Sequence, residues 1–135
     1  MNIDELKSTV EVRDWFHRID LGDGIVTPRV DDSPNKLSAL GMPADLSGKT
    51  VLDIGAWDGF FSFEAERRGA TVMASDYYCW SGQGMQSKQG FDIAKKARGS
   101  NVKELDVKVE ELPNSRGMLA ATRQTPAHAI WDEPR

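Results

Sequence analysis

The sequence contains few cysteines and histidines, and this scarcity excludes several kinds of site. Cys79 is the only cysteine among 135 residues, so the chain cannot form an internal disulfide. With only His17 and His128 beside it, a cysteine-rich metal site is excluded as well, and we expect no metal. No base for a cysteine nucleophile can be placed, so Cys79 is interpreted as an inert thiol.

Long apolar runs and basic regions are missing too. No stretch approaches the roughly 20 apolar residues of a membrane-spanning helix. Residues 1–6 lack the basic and apolar regions of a secretory signal. The net charge of −4 gives no electrostatic indication of nucleic-acid binding, although a small basic patch could escape this sum. With 39% apolar and 28% charged residues, we expect one cytoplasmic globular domain without membrane contact.

A strand, a glycine turn and a helix start follow each other in the middle of the chain. Residues 51–54 form an apolar run, interrupted by Asp53, that is typical of a central strand covered on both faces. Gly55 and Gly59 then bracket a tight turn before a helix predicted over residues 60–68. A helix N-terminus after glycines favours a nucleotide site, because backbone N–H groups are accessible to a ligand there. The alternative is an ordinary strand-to-helix turn.

An acidic residue follows the next predicted strand. Residues 70–75, ATVMAS, are predicted to form a second short buried strand, and the intervening helix makes the two strands a βαβ unit with parallel pairing. Asp76 stands at the carboxyl end of this strand, seventeen positions beyond Gly59. In dinucleotide- and adenosine-binding folds, an acidic residue about 20 positions beyond the turn binds the ribose hydroxyls. Asp76 is therefore the candidate ribose ligand, and a helix-capping or loop aspartate is the alternative.

The residues of the turn separate two classes of cofactor. A nicotinamide dinucleotide normally requires Gly-x-Gly-x-x-Gly, with room for a pyrophosphate over the turn. Trp57 and Asp58 occupy this place, and a carboxylate repels two phosphates but not the cationic S-adenosylmethionine. Asp53 likewise suits a ligand that carries an ammonium group. The sequence therefore favours S-adenosylmethionine over a nicotinamide cofactor.

The remaining elements are predicted from capping residues, turn residues and apolar spacing. They are a capped helix from Asn2 to about Val12, an ordered loop with a short strand at residues 25–26, a connector over 29–49 with one helical turn near 36–40, a helix over 87–98, and a third strand from Val102 to about Val109.

Residues 51–64, VLDIGAWDGFFSFE, resemble the first motif of class I S-adenosylmethionine-dependent methyltransferases. They are most similar to the wobble-uridine tRNA methyltransferase-like group, whose N-terminal segment residues 15–28 also resemble. The resemblance covers roughly residues 12–112. It implies an α/β Rossmann-like fold, S-adenosylmethionine as cofactor, and either tRNA or a small molecule as methyl acceptor.

The resemblance also implies which residues bind the cofactor, while it assigns no catalytic residue. Asp53 would help to hold the methionine end, Asp76 would bind the ribose, and Tyr77 would lie beside the adenine. Trp57 stands where most class I enzymes have a glycine, which makes the path of the turn an open question. The full implied set is Asp53, Gly55, Ala56, Trp57, Gly59, Asp76 and Tyr77.

The end of the chain departs from this family. We divide the chain into an N-terminal helix and connector (1–49), a cofactor-binding half (50–112) and an atypical tail (113–135) that has no strand-like apolar run. We therefore expect about three strands, a truncated C-terminus and an inactive isolated chain. The first strand would have an unpaired outer edge, open to self-association. A family-divergent tail and a non-catalytic adenosine-binding or assembly module are the alternatives.

Two further features have competing interpretations. His17 could act as an acid or base on the substrate, but a histidine without a visible partner is more often structural. The aromatic cluster Tyr77, Tyr78 and Trp80 at the predicted end of the second strand could stack on a base or pack inside the domain.

Overall fold

The computed structural model describes residues 1–29, 33–82, 88–111 and 119–122. The elements in these ranges alternate between helices and strands after the first two helices. In chain order they are α1 (Ile3–Glu11), α2 (Ser33–Leu40), β1 (Thr50–Ile54), α3 (Phe60–Arg67), β2 (Thr71–Ser75), α4 (Gln89–Arg98), β3 (Lys103–Leu105), a 3-10 turn (Val109–Glu111) and β4 (Leu119–Thr122).

The strands in these ranges form one parallel sheet in the order β3-β2-β1-β4. Strand β1 pairs with β2 from Thr50 opposite Thr71 to Ile54 opposite Ser75, and α3 connects the two. The predicted βαβ unit is therefore confirmed. The α/β Rossmann-like class is confirmed with it, because helices connect parallel strands of one sheet.

Two predictions about the sheet are wrong. Strand β4 lies within the tail and pairs with β1 from Val51 opposite Leu119 to Ile54 opposite Thr122. The three strands expected before the tail are β1, β2 and β3, but the tail adds a fourth strand to the described sheet, and the outer edge of β1 is paired. The argument for self-association required an unpaired edge on β1, and this edge is paired with β4. Residues 119–122 carry no local strand signal, because β4 has only four residues, two of them alanine, and pairing with β1 outweighs such weak local preference.

Several element boundaries differ from the predictions. Helix α2 has eight residues instead of one turn, and β3 has three residues. The short strand predicted at residues 25–26 is a single antiparallel bridge between Asp20 and Val26. Helix α1 is capped as predicted, because Asn2 and Glu5 exchange hydrogen bonds of 2.8 and 2.9 Å between each side chain and the other's backbone N–H. The remaining tail residues, 113–118 and 123–135, lie outside the described ranges.

The core lies between the sheet and helices α3 and α4. Phe63 of α3 and Phe91 of α4 are both almost fully buried, and their ring centroids lie 5.4 Å apart. Each such ring stabilises the fold by about 1.5–3 kcal/mol relative to exposure in water. The N-terminal segment joins the same core through Trp15, Ile19, Leu21 and Ile25.

In the described ranges, every helix is too short or too polar to cross a membrane.

Candidate cofactor site at the carboxyl end of the sheet

The strand order places a topological switch point at the carboxyl end of β1. Strand β1 has β2 on one side and β4 on the other, so the chain leaves β1 in one direction and later returns on the opposite side. Ligands of open α/β sheets bind in the crevice outside the strand ends at such a point. The glycine turn, residues 55–59, follows β1 directly, and Asp76 follows β2 directly. The fold therefore brings together the two features that the sequence predicted for a cofactor site.

The turn is held to the end of β2 by its own backbone. The N–H groups of Gly55 and Ala56 both donate to the carbonyl oxygen of Ser75, over 2.8 and 3.0 Å. The N–H of Trp57 donates to Asp76 Oδ2 over 3.0 Å. Three consecutive N–H groups of the turn are thus bonded within the protein.

Trp57 has a left-handed backbone, with φ of 49°. This conformation costs a non-glycine residue roughly 1–2 kcal/mol. Two hydrogen bonds hold it, because the Trp57 N–H donates to Asp76 and the Trp57 carbonyl accepts from Trp80 Nε1 over 2.8 Å. The turn therefore keeps a left-handed backbone at this position although the residue is not glycine.

Gly59 is required both by its backbone and by packing. Its φ is 93°, and a Cβ atom there would lie 2.7 Å from the ring of Phe63 and 2.8 Å from the ring of Phe91. Gly59 directly precedes α3. Because it has no side chain, the rings of Phe63 in α3 and Phe91 in α4 can both pack against it. The space beside it is filled by the rings of the core.

Asp76 is 4% exposed and connects two backbone segments. Its Oδ2 accepts the Trp57 N–H, and its Oδ1 accepts the Cys79 N–H over 2.9 Å. These two contacts are the ones expected of an aspartate that fixes a loop, which was the alternative to a ribose ligand. Each carboxylate oxygen has a second lone pair, so ribose hydroxyls could be accepted in addition to these bonds.

Asp53 lies in β1, two residues before the turn, and is 1% exposed. Its Oδ2 accepts from Ser62 Oγ over 2.6 Å, while Oδ1 has no hydrogen-bond partner among the described residues. Burial raises the pKa of Asp53 to about 6; the hydrogen bond from Ser62 opposes this shift, and the charge of Asp76 adds to it. Ser62 is in the first turn of α3, whose partial positive charge favours a carboxylate.

Asp58 is directed toward the N-terminal segment, not toward the space over the turn that the sequence argument assumed. It is 2% exposed, and its Oδ2 accepts the N–H groups of Phe16 and His17 over 2.6 and 2.9 Å. Burial raises the pKa of Asp58 to about 6; the two N–H groups and the charge of Arg29 oppose this shift, and Asp76 adds to it.

Aromatic rings cover this region from the N-terminal side. The rings of Phe16 and Trp57 are stacked, with centroids 4.2 Å apart and an interplanar angle of 5°. His17 is 2% exposed, and its ring lies within 4.8 to 6.0 Å of the rings of Phe16, Phe60 and Phe61. This burial supports the structural interpretation of His17.

The aromatic cluster after β2 divides into a buried and an exposed part. Trp80 is 6% exposed and donates to the turn, so its role is packing. Tyr77 is 38% exposed, and Lys108 Nζ lies 5.4 Å from its ring centroid, while Tyr78 is 61% exposed. Tyr77 is thus accessible beside the site, as a residue next to an adenine would need to be. Cys79 is 2% exposed, in agreement with an inert thiol.

A cavity of about 620 Å³ lies elsewhere, between residues 19–23, α3 and α4. None of the seven predicted cofactor residues lines it. Both arginines that line it have partners within the protein, because Arg67 pairs with Glu64 over 2.5 Å and Arg98 donates to the backbone carbonyl of Asp20 over 2.6 Å. The end of the sheet, and not this cavity, remains the candidate site.

Sequence reasoning missed two contacts of the site. The first is the hydrogen bond from Ser62 to Asp53, which lies nine positions earlier in the chain. No sequence pattern indicates this contact, because it depends on how α3 packs on β1. The hydrogen bonds of Asp58 to residues 16–17 span more than 40 positions, and nothing local indicates them. Within the described ranges, no group of three or more His, Cys, Asp or Glu side chains could hold a metal ion.

Comparison with known proteins identifies the fold. Neither a protein-family model nor a curated protein matches the chain. The structure is similar to a crystal structure from Pyrococcus horikoshii named as a "putative RNA methyltransferase", with a TM-score of 0.52 and 21% sequence identity. The match covers 88% of this chain and 56% of that chain, so this chain spans little more than half the length of its structural neighbour. The chain therefore has the α/β fold found in this methyltransferase structure.

Proposed function

We propose that this chain binds S-adenosylmethionine, or its demethylated product, at the carboxyl end of β1 and β2, as the cofactor-binding part of a methyltransferase. The main support for this proposal is the hydrogen bond from the Trp57 N–H to Asp76 Oδ2. It joins the glycine turn to the predicted ribose ligand at the switch point of the sheet. The resemblance of residues 51–64 to the methyltransferase motif supports the same conclusion.

The hydrogen bonds of the turn favour a cofactor without phosphate groups. A pyrophosphate is normally bound by backbone N–H groups at this position. The N–H groups of Gly55, Ala56 and Trp57 already donate to Ser75 and Asp76. The aspartates of the site add negative charge that repels phosphates but not a sulfonium or an ammonium group.

The carboxylates fit the polar groups of S-adenosylmethionine. Asp53 Oδ1 lacks a hydrogen-bond partner among the described residues, which leaves a buried acceptor for the ammonium group of the methionine end. Asp76 has lone pairs for the two ribose hydroxyls, and Tyr77 is exposed beside it. When bound, the cofactor would supply the methyl group, and this chain would hold it in position for in-line transfer.

For the acceptor we propose RNA, with the wobble uridine of tRNA as the specific hypothesis. Two lines support it, the resemblance of residues 15–28 to the wobble-uridine group and the name of the structural neighbour. A small-molecule acceptor is the alternative. No residue is assigned a catalytic role, since the proposal concerns cofactor binding.

A non-catalytic adenosine-binding or assembly module is the second candidate function. It is favoured by the way the aspartates bind the protein itself, with Asp76 and Asp58 each accepting two backbone N–H groups. Such carboxylates stabilise the domain whether or not a reaction takes place there.

Calorimetric titration tests the cofactor. We expect S-adenosylmethionine and S-adenosylhomocysteine to bind and NAD to bind more weakly. Asp76→Ala should lower the affinity for both adenosyl ligands by about 10- to 100-fold through lost charged hydrogen bonds. Asp45→Ala is the matched control, because exposed Asp45 also accepts a backbone N–H, that of Ser47, over 2.9 Å. Tighter binding of NAD would contradict the proposal.

A transfer assay tests the non-catalytic candidate, which incorporated label would exclude. The purified chain is incubated with methyl-labelled S-adenosylmethionine and either bulk tRNA or small-molecule acceptors. Incorporated label would establish methyl transfer and would overturn the expectation that the isolated chain is inactive. Cofactor binding without incorporation is the result expected of the isolated chain.

A further inference from the structure

Residues 15–17 lie against the glycine turn and are fixed there by Asp58 and Trp57. The Asp58 carboxylate, 2% exposed, accepts the N–H groups of Phe16 and His17 on its Oδ2. Hydrogen bonds to an ionised carboxylate are stronger than those between neutral groups. The Phe16 ring stacks on Trp57, the central residue of the turn, at 4.2 Å.

Helix α4 packs against Asp58 and Trp15. A Cβ atom on Gly90 would lie 2.7 Å from Asp58 Oδ1 and 3.3 Å from the ring of Trp15. Gly90 thus allows α4 to approach both residues closely. Trp15 is 3% exposed, and its Nε1 donates to the carbonyl of Val10 over 3.1 Å. The segment is therefore held on both sides, by the turn and by a core helix.

We propose that residues 15–17 form a wall of the cofactor site, in which Phe16 determines specificity and Asp58 is the positioning residue. The inference rests on the proposed function. In dinucleotide-binding folds the pyrophosphate lies over the turn. Here the stacked rings of Phe16 and Trp57 lie at that turn, and Asp58 holds the backbone of Phe16 in place there. The wall therefore admits an adenosyl ligand without phosphates and excludes an adenosine diphosphate group.

A wall fixed in advance also raises affinity. Ordering a loop when a ligand binds costs free energy, and a segment already held by hydrogen bonds avoids this cost. Loss of the Asp58 contacts should therefore lower the affinity for an adenosyl ligand and, at the same time, weaken the discrimination against phosphates.

Amide hydrogen exchange tests the positioning role. In Asp58→Ala, the Phe16 and His17 amides should exchange at least about 10-fold faster, because each loses its acceptor. Amides of β1 should keep their wild-type rates. Asp58→Asn should restore slow exchange at residues 16–17, because its amide oxygen can accept both N–H groups. Wild-type exchange at Phe16 and His17 in Asp58→Ala would overturn the positioning role.

Titration with S-adenosylhomocysteine and ADP, which share adenosine, tests specificity. The wild-type chain should prefer S-adenosylhomocysteine, and Asp58→Ala and Phe16→Ala should each reduce this preference by about 10-fold. Phe16→Ala retains the Asp58 carboxylate and decides the question if Asp58→Ala does not fold. Unchanged preference in Phe16→Ala would overturn this inference alone. A wild-type chain that does not bind S-adenosylhomocysteine would overturn the proposed function, and this inference with it.

Discussion

Asp76 accepts the backbone N–H of Trp57 on Oδ2 and that of Cys79 on Oδ1, over 3.0 and 2.9 Å. One carboxylate thereby joins the turn after β1 to the loop after β2. The residue predicted as a ribose ligand is thus also a structural link within the site. Its contribution to stability can be measured apart from its contribution to binding.

Asp76→Ala should lower the free energy of unfolding by about 1–3 kcal/mol, because two N–H donors lose their acceptor. Urea denaturation of the ligand-free chain measures this loss. Asp45→Ala removes an exposed acceptor of the same kind and should cost less, because water can replace it. Equal stabilities of the Asp76 and Asp45 variants would show that the link carries little energy.

Gly59→Ala should destabilise the chain by about 2–4 kcal/mol. The left-handed backbone at φ 93° contributes roughly 1–2 kcal/mol, and the clash of a Cβ with Phe63 and Phe91 adds to it. Gly99→Ala is the matched control, since Gly99 is also left-handed, at φ 59°, but a Cβ there meets nothing within 4 Å. Thermal unfolding compares the two variants, and a similar loss in both would exclude the packing role of Gly59.

The features predicted correctly from the sequence depend on neighbours along the chain. The β1 strand, the glycine turn and the place of Asp76 follow from an apolar run, glycine spacing and the length of one helix. The contacts of Asp58 depend on how distant segments pack, so a local pattern suggested a ligand-facing carboxylate instead. Strand β4 was missed for the same reason, because its pairing with β1, and not its composition, makes it a strand.

Ser62→Ala should cost about 1–3 kcal/mol, because buried Asp53 would lose the hydroxyl that donates to it over 2.6 Å. The pKa of Asp53 should rise further, since that hydrogen bond favours the ionised form. Ser75→Ala is a suitable control, because Ser75 is also buried but its hydroxyl donates over a longer 3.3 Å to a backbone carbonyl. Denaturation at pH 7.5 compares both variants with the wild type. A smaller loss in Ser62→Ala than in Ser75→Ala would contradict this account of the Asp53 site.

Stability should increase when the pH is lowered from about 8 to about 5. Asp53 and Asp58 have folded-state pKa values raised to about 6 from 3.8, chiefly by burial, so the folded chain holds these protons more tightly than the unfolded chain. Their stabilising contribution is present in full below about pH 4 and is lost as the pH rises through about 6. Each group changes the free energy of unfolding by at most about 1.4 kcal/mol per pH unit.

The measurement is the urea midpoint and slope at intervals between pH 5 and 8. Glu64 and Glu104, whose pKa values are lowered by their hydrogen-bonded and charged partners, act in the opposite direction only in more acid solution. The variants described next assign the remaining slope to the two raised groups. Asp53→Asn and Asp58→Asn each remove one titrating carboxyl, and each should flatten the pH dependence. A wild-type chain that loses stability from pH 7 to pH 5, or variants with the wild-type slope, would show that these two carboxyls do not titrate near pH 6 in the folded chain.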